Sequence, residues 1–332
     1  MTIRTIDAHA AGEPLRLIVE GFPSIEGETM LEKREWIRAN HDHLRTALMF
    51  EPRGHADMYG ALLTEPERPS SDAGVLFIHN EGYSTMCGHG VIAVTTVALE
   101  RGLISPRHPD EVVFDTPAGQ VRARARTSMD GDRLRVSSVS FRNVPSFVLH
   151  PAVPVRLDGR ALQADVAFGG AFYAIVDSEA AGIPIKPERL GDLRRAGMAI
   201  KRAVEAAVRV EHPQEAQLRG IYGTIFTGLP TAPGADLRNV TIFADAEVDR
   251  SPCGTGTCAV MAVLAAMGIL TPEQTFTHES IIGTRFRGRI VSELTIGDLA
   301  AIEPEIEGEA YITGENTCLI DPRDPLRFGF RL

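Results

Sequence analysis

Two segments 166 residues apart share one pattern: a cysteine, a glycine-x-glycine, then an unbroken apolar run. The first reads Met86-Cys87-Gly88-His89-Gly90-Val91-Ile92-Ala93-Val94. The second reads Pro252-Cys253-Gly254-Thr255-Gly256-Thr257-Cys258-Ala259-Val260. Val91 to Leu99 and Ala259 to Met267 are apolar or small on every face, and a helix that is hydrophobic all round must be buried. The same shift sets Val97 on Val263, Gly102 on Gly268 and Phe77 on Phe243. A weaker match places Gly12 to Val19 beside Gly169 to Val176. One repeat of this length marks a duplicated domain rather than a solenoid period. The expectation is an α/β protein of two similar lobes, each a sheet wrapped around one buried helix, with a cleft between them.

The rest of the chain divides on the same plan. Leu15 to Val19 and Val75 to Ile78 read as strands, and Leu31 to Met49 has helical spacing. Glu111 to Phe114 and Val121 to Ala125 flank Thr116-Pro117-Ala118-Gly119 as a hairpin. Val136 to Phe141 opens the second half as a strand, followed by Phe147 to Leu149 and Phe172 to Val176. Pro187 is placed as the first residue of a helix running to Val210. Strands are predicted at Ile221 to Phe226, Val240 to Phe243, Ile281 to Val291 and Tyr311 to Thr313. The expected lobes are 1–137, completed by 316–332, and 138–315.

Composition excludes several classes. The 332 residues suit two domains, and a net charge of −10 without a Lys/Arg-rich run speaks against nucleic acid. The start, Met1-Thr2-Ile3-Arg4-Thr5-Ile6-Asp7, has no apolar export core, and no run reaches membrane-span length. Four cysteines do not make a disulfide framework. A cytoplasmic protein with free thiols is expected, without membrane partners.

A helix N-terminus presents unpaired N–H groups and partial positive charge. It can bind a carboxylate and draw down a thiol's pKa. Glycines at 88, 90, 254 and 256 let backbone approach a ligand closely. Two such ends facing one substrate could clamp a carboxylate and set one thiol on each side of a carbon acid. One thiolate would then take a proton while the other thiol returns one. The bland alternative, a small buried hydrophobe, is the reading for Cys258 and Cys318.

Two other motifs compete. Gly88 to Ala93 and Gly254 to Ala259 fit G-x-G-x-x-A, but about eight residues separate strand from motif, unlike a dinucleotide fingerprint. Zinc through Cys87, His89, Cys253 and Cys258 fails on spacing. No cofactor and no metal are expected.

These residues resemble the proline racemase family. The two cysteine motifs, with Asp249-Arg250-Ser251-Pro252 leading the second, look like the family's pair. Pro52 to Ala61 resembles another of its blocks, and Asp7 to Pro14 its start. The likeness covers nearly the whole chain. It implies the diaminopimelate-epimerase-like fold: two pseudo-symmetric lobes, each a curved, mostly antiparallel sheet around a central helix. It implies cofactor-independent inversion at Cα of proline or hydroxyproline, with Cys87 and Cys253 as the acid/base pair. Gly88, His89, Gly90, Gly254 and Thr255 match carboxylate-binding positions, and Asp249 and His89 match groups placed near the ring nitrogen. Tyr59 matches a wall of the substrate pocket, and Phe243 reads either as the opposite wall or as a plain core strand residue. The block around Tyr59 also looks like trans-3-hydroxyproline dehydratases, which usually carry threonine in place of the second cysteine. A homodimer is compatible with the resemblance. From another class, a two-lobed amino-acid-binding protein remains open.

Overall fold

The structure is a computed structural model and describes residues 1–109 and 111–331. It is a mixed α/β fold that divides into two compact units, Met1–Phe141 with Gly308–Leu332, and Arg142–Glu307.

In the first unit, Thr2–Ala10 pairs antiparallel with Glu13–Glu20 and with Ala310–Leu319. Glu13–Glu20 lies parallel to Tyr59–Thr64, which is antiparallel to Ala73–His79. Ala73–His79 then runs parallel to Val112–Thr116, whose hairpin partner is Gly119–Asp130. Helix Gly88–Glu100 packs against five of these strands, and every residue from 88 to 98 is buried. That is the environment its all-round apolar sequence requires.

The helix predicted over Leu31 to Met49 is two helices, Met30–Asn40 and Asp42–Met49. Thr29 and Glu32 form a reciprocal capping box at the first start, and His41, at φ −135° and ψ 20°, breaks the run. Ile37, Leu44 and Leu48 bury against Leu62, Leu76 and Ile78 in a separate core cluster.

In the second unit the strands close on themselves. Ser146–Leu157, Arg160–Phe168 and Phe172–Asp177 pair in turn, all antiparallel. Phe172–Asp177 runs parallel to Gly223–Gly228, and that strand is antiparallel to Leu237–Phe243. Leu237–Phe243 lies parallel to Phe276–Glu279, which leads through Arg285–Ile296 to Leu299–Gly308. Ala301 and Ile302 then pair with Phe147 and Ser146, completing the ring. Helix Gly254–Ala266 packs on four strands of this ring, with residues 254 to 263 buried. Outside it, the amphipathic helix Leu190–Ala207 buries Leu193, Ala196, Gly197, Ile200 and Val204.

The repeat is visible in backbone geometry. The two buried helices have bounds that differ by 166 at both ends. The parallel strand pairs match too: Ala73 pairs with Phe114 and Leu237 with His278, partners 41 residues apart in each unit.

Three local expectations change. The strand Arg133–Arg142 runs through the boundary drawn after residue 137, because its alternating pattern continues unbroken. The strand expected from Ile281 begins only at Arg285, because Ser280–Thr284 is a turn in which Gly283 and Thr284 bond back to Ser280. Met267, expected in a buried run, lies beyond the helix end and is 65% exposed.

Candidate active site

Each unit builds one cysteine site at the start of its buried helix. Cys87 is the N-cap of its helix, and its Sγ accepts the Gly90 N–H at 3.2 Å. His89, in the first turn, sets Nδ1 3.2 Å from the same sulfur. Tyr59 packs edge-on to His89 at 4.8 Å between centroids and stacks on His79 at 5.6 Å. Its hydroxyl hydrogen-bonds Ser84. Cys87, His89, Tyr59 and Gly90 are thus brought together, and all are buried.

Gly90 is glycine for a local reason. A Cβ there would stand 2.4 Å from Phe77 Cε1 and 2.9 Å from the Cys87 sulfur. The loop before Tyr59 is tied down by Asn80, which accepts the Met58 N–H at 2.7 Å and donates to the Met49 carbonyl at 2.8 Å. Arg45 in turn donates to the His79 and Asn80 carbonyls at 2.8 and 2.5 Å.

Cys253 is the matching N-cap, and its Sγ accepts the Gly256 N–H at 3.3 Å. The backbone differs: Cys253 sits at φ 61°, ψ 106°, whereas Cys87 is extended at φ −144°, ψ 114°. A non-glycine residue there stores on the order of 1–3 kcal/mol of strain, which its surroundings must hold. The Cys253 N–H donates to Ser251 Oγ at 3.1 Å. Ser251 donates from both backbone and hydroxyl to one Asp249 oxygen, at 2.8 and 2.7 Å. Thr255 Oγ1 and Tyr173 OH lie 2.7 Å apart, each 3.8 Å from the Cys253 sulfur. Phe243 is a buried strand residue stacked on Tyr222 at 5.4 Å, and Tyr222 meets Tyr173 edge-on at 5.9 Å.

The electrostatics of this site follow from burial. Desolvation first, and the Asp249 charge second, push the Cys253 thiol well above its usual range. The resting protein therefore holds Cys253 as a thiol able to donate a proton. Burial likewise pushes the Asp249 carboxyl up to about 6, against the pull of its bonds from Ser251. Folded Asp249 thus keeps its proton to higher pH than the unfolded chain does. Its contribution to stability is full below about pH 4 and lost as pH rises through about 6. Asp249→Asn, which cannot ionise, should gain on wild type by about 2–3 kcal/mol between pH 4 and pH 7.5. Urea unfolding at both pH values reads this directly, and a pH-independent difference would contradict a buried carboxylate.

Cys258 is fully buried, and desolvation pushes its thiol up, as suits a packing residue. Cys318 is half-buried against the first unit's side cluster. Among the described residues, no group of three His, Cys, Asp or Glu side chains is placed to hold a metal ion. No helix among them is long and apolar enough to cross a membrane.

Sequence reasoning missed Tyr173, Ser251, Asn239, Thr257 and His278. The repeat carried a signal for three of them: Ala73, Val91 and Val112 in the first half align with Asn239, Thr257 and His278 in the second. Polar residues replacing apolar ones at buried repeat positions call for a local explanation.

Residues 5–331 match the proline racemase family model. A trans-3-hydroxy-L-proline dehydratase from Bacillus cereus is 48% identical over 329 residues, covering 99% of this chain and 97% of that protein. A 3-hydroxyproline 2-epimerase from Burkholderia multivorans is 43% identical over 331 residues, covering 99% and 98%. Among solved structures, a hydroxyproline epimerase from Agrobacterium vitis with bound trans-4-hydroxy-L-proline aligns at a TM-score of 0.92. Its identity is 32%, and the alignment covers 100% of this chain and 95% of that one. The chain is therefore an enzyme of the proline racemase family, within the racemase and epimerase class of isomerases.

Proposed function

We propose that the chain inverts Cα of proline or a hydroxyproline without a cofactor, with Cys87 and Cys253 acting on opposite faces of that carbon. The observation that carries this is the matched pair of N-caps. Each thiol sits at the start of a buried helix, held 3.2 or 3.3 Å from the N–H three residues on. In one direction the Cys87 thiolate takes the Cα proton, with His89 beside the sulfur. The C–H electron pair passes into the carboxylate as an enediolate, which first-turn N–H groups of a helix are suited to stabilise. The Cys253 thiol then protonates Cα from the other face. The reverse direction exchanges the roles, and no electrons leave or enter. Gly88, Gly90, Gly254 and Thr255 serve the carboxylate, and His89 and Asp249 the ring nitrogen. Tyr59 and Phe243 act as walls.

A second reading is supported by the 48% identity to a trans-3-hydroxy-L-proline dehydratase. The first step is shared. With a hydroxyl on C3, the same carbanion can expel it as water once protonated, leaving an enamine that tautomerises to a pyrroline. Retention of a cysteine at 253 supports inversion over elimination, because elimination needs no donor to Cα.

A panel of L- and D-proline, the 4-hydroxyprolines and trans-3-hydroxy-L-proline in deuterated water separates the readings. Inverted product with deuterium at Cα is the expected result. A pyrroline consumed by an added reductase would assign elimination instead. Binding of these ligands with neither exchange nor product would leave only a binding protein.

A further inference from the structure

The two thiols cap their helices from different backbones, and the second unit sets a buried His278–Thr257–Asn239 network behind its cysteine. Cys253 carries a positive φ of 61° on a non-glycine residue, and Cys87 does not. The peptide preceding Cys253 is gripped from two sides. The Pro252 carbonyl accepts Asn239 Nδ2 at 2.9 Å and Thr257 Oγ1 at 3.0 Å. Both donors also touch His278: Thr257 Oγ1 lies 2.9 Å from Nδ1, and Asn239 Nδ2 lies 2.9 Å from both Nδ1 and Nε2. His278, Asn239 and Thr257 are fully buried.

A neutral imidazole protonated on Nδ1 satisfies these contacts. Thr257 has a single hydroxyl proton and gives it to the Pro252 carbonyl, so it must accept from His278 Nδ1–H. Asn239 gives one amide proton to the same carbonyl and one to the bare Nε2. A second ring proton would face the Asn239 amide donor, so the contacts favour the neutral imidazole. Its burial pushes its pKa down to about 3, in agreement. At the matching positions the first unit carries Ala73, Val91 and Val112, none with a side-chain donor.

We infer that His278, acting through Thr257 and Asn239, is a positioning residue that holds the Pro252–Cys253 peptide in its strained conformation and so aims the Cys253 thiol. This rests on the reading of Cys253 as a reacting thiol. The imidazole touches no reacting atom; it fixes which way two buried donors point. Asp249 and Tyr173 are the titratable groups that face the thiol itself, and neither bonds to His278.

The test compares Cys253 with Cys87 inside one protein. Iodoacetamide alkylation of each cysteine is followed by mass spectrometry from pH 5 to 10, alongside inversion kinetics. His278→Val installs the residue of the other unit; should it fail to fold, Thr257→Val removes one hydroxyl at nearly constant volume. Either variant should displace the Cys253 alkylation profile, leave that of Cys87 in place, and lower kcat for inversion by about 10–100-fold, a typical cost of misplacing a reacting group, with KM little changed. Thr257→Ser, which keeps the hydroxyl, should restore the wild-type profile. Unchanged Cys253 reactivity in a folded Thr257→Val protein would overturn the inference. So would equal shifts at both cysteines, which would mark a general structural role. Failure of the underlying reading is a separate result: Cys253→Ser would then keep full inversion, whatever the alkylation profiles show.

Discussion

Cys253→Ser is expected to lower inversion of proline or hydroxyproline by about 10³–10⁴-fold, the scale of losing a general acid/base and more. A serine hydroxyl at a buried N-cap neither ionises nor donates at the rate of a thiol. The fold should survive, because serine is itself a preferred N-cap and can still accept the Gly256 N–H. Proton exchange at Cα through Cys87 should persist at a reduced rate, since Cys87 and His89 form their contact within the other unit. Cys87→Ser should give the mirror result. Exchange and inversion are read together by mass spectrometry and chiral chromatography. Full inversion by either variant would remove the two-thiol mechanism.

Gly256→Ala should also damage activity, by up to about 10²-fold and so by less than loss of the thiol, while costing little stability. Its Cβ would lie 2.9 Å from the Cys253 sulfur and 2.9 Å from Ile225 Cδ1. The sulfur must move by several tenths of an ångström, and a misplacement of about 1 Å already costs about 10²-fold when a reacting group is misaimed. Alanine's helix propensity offsets part of the crowding. Gly90→Ala differs in kind. Its Cβ would also meet Phe77 Cε1 at 2.4 Å, and Phe77 is fully buried, so overpacking adds about 1–3 kcal/mol of destabilisation. Activity and melting temperature together distinguish the two. Wild-type kcat in Gly256→Ala would mean that the thiol's position does not matter.

Much of this is legible in the chain itself. The all-apolar runs after Cys87 and Cys253 required burial, and the closed strand ring around Gly254–Ala266 provides it. The glycines were read as room for a ligand, whereas at 90 and 256 the crowding comes from the thiols and from Phe77 or Ile225. What stayed hidden depends on contacts distant in sequence. Tyr173 reaches Thr255 across 82 residues, and His278 reaches Thr257 across 21. A tyrosine in an apolar strand reads as core, and no local periodicity marks the hydroxyl at its tip. Phe243 is buried and stacked on Tyr222, so its place in the strand was legible while its distance from a ligand was not. The break at His41 likewise escaped periodicity, since the apolar spacing runs on through it.

The central claim is that one proton leaves by one thiol and another arrives from the second. It is tested most directly by initial-rate turnover of a single enantiomer in deuterated water, with substrate and product analysed separately. The two-thiol account predicts product almost fully deuterated at Cα while unreacted substrate stays free of label. Substrate and product labelled alike, or product that retains the substrate's own proton, would contradict it.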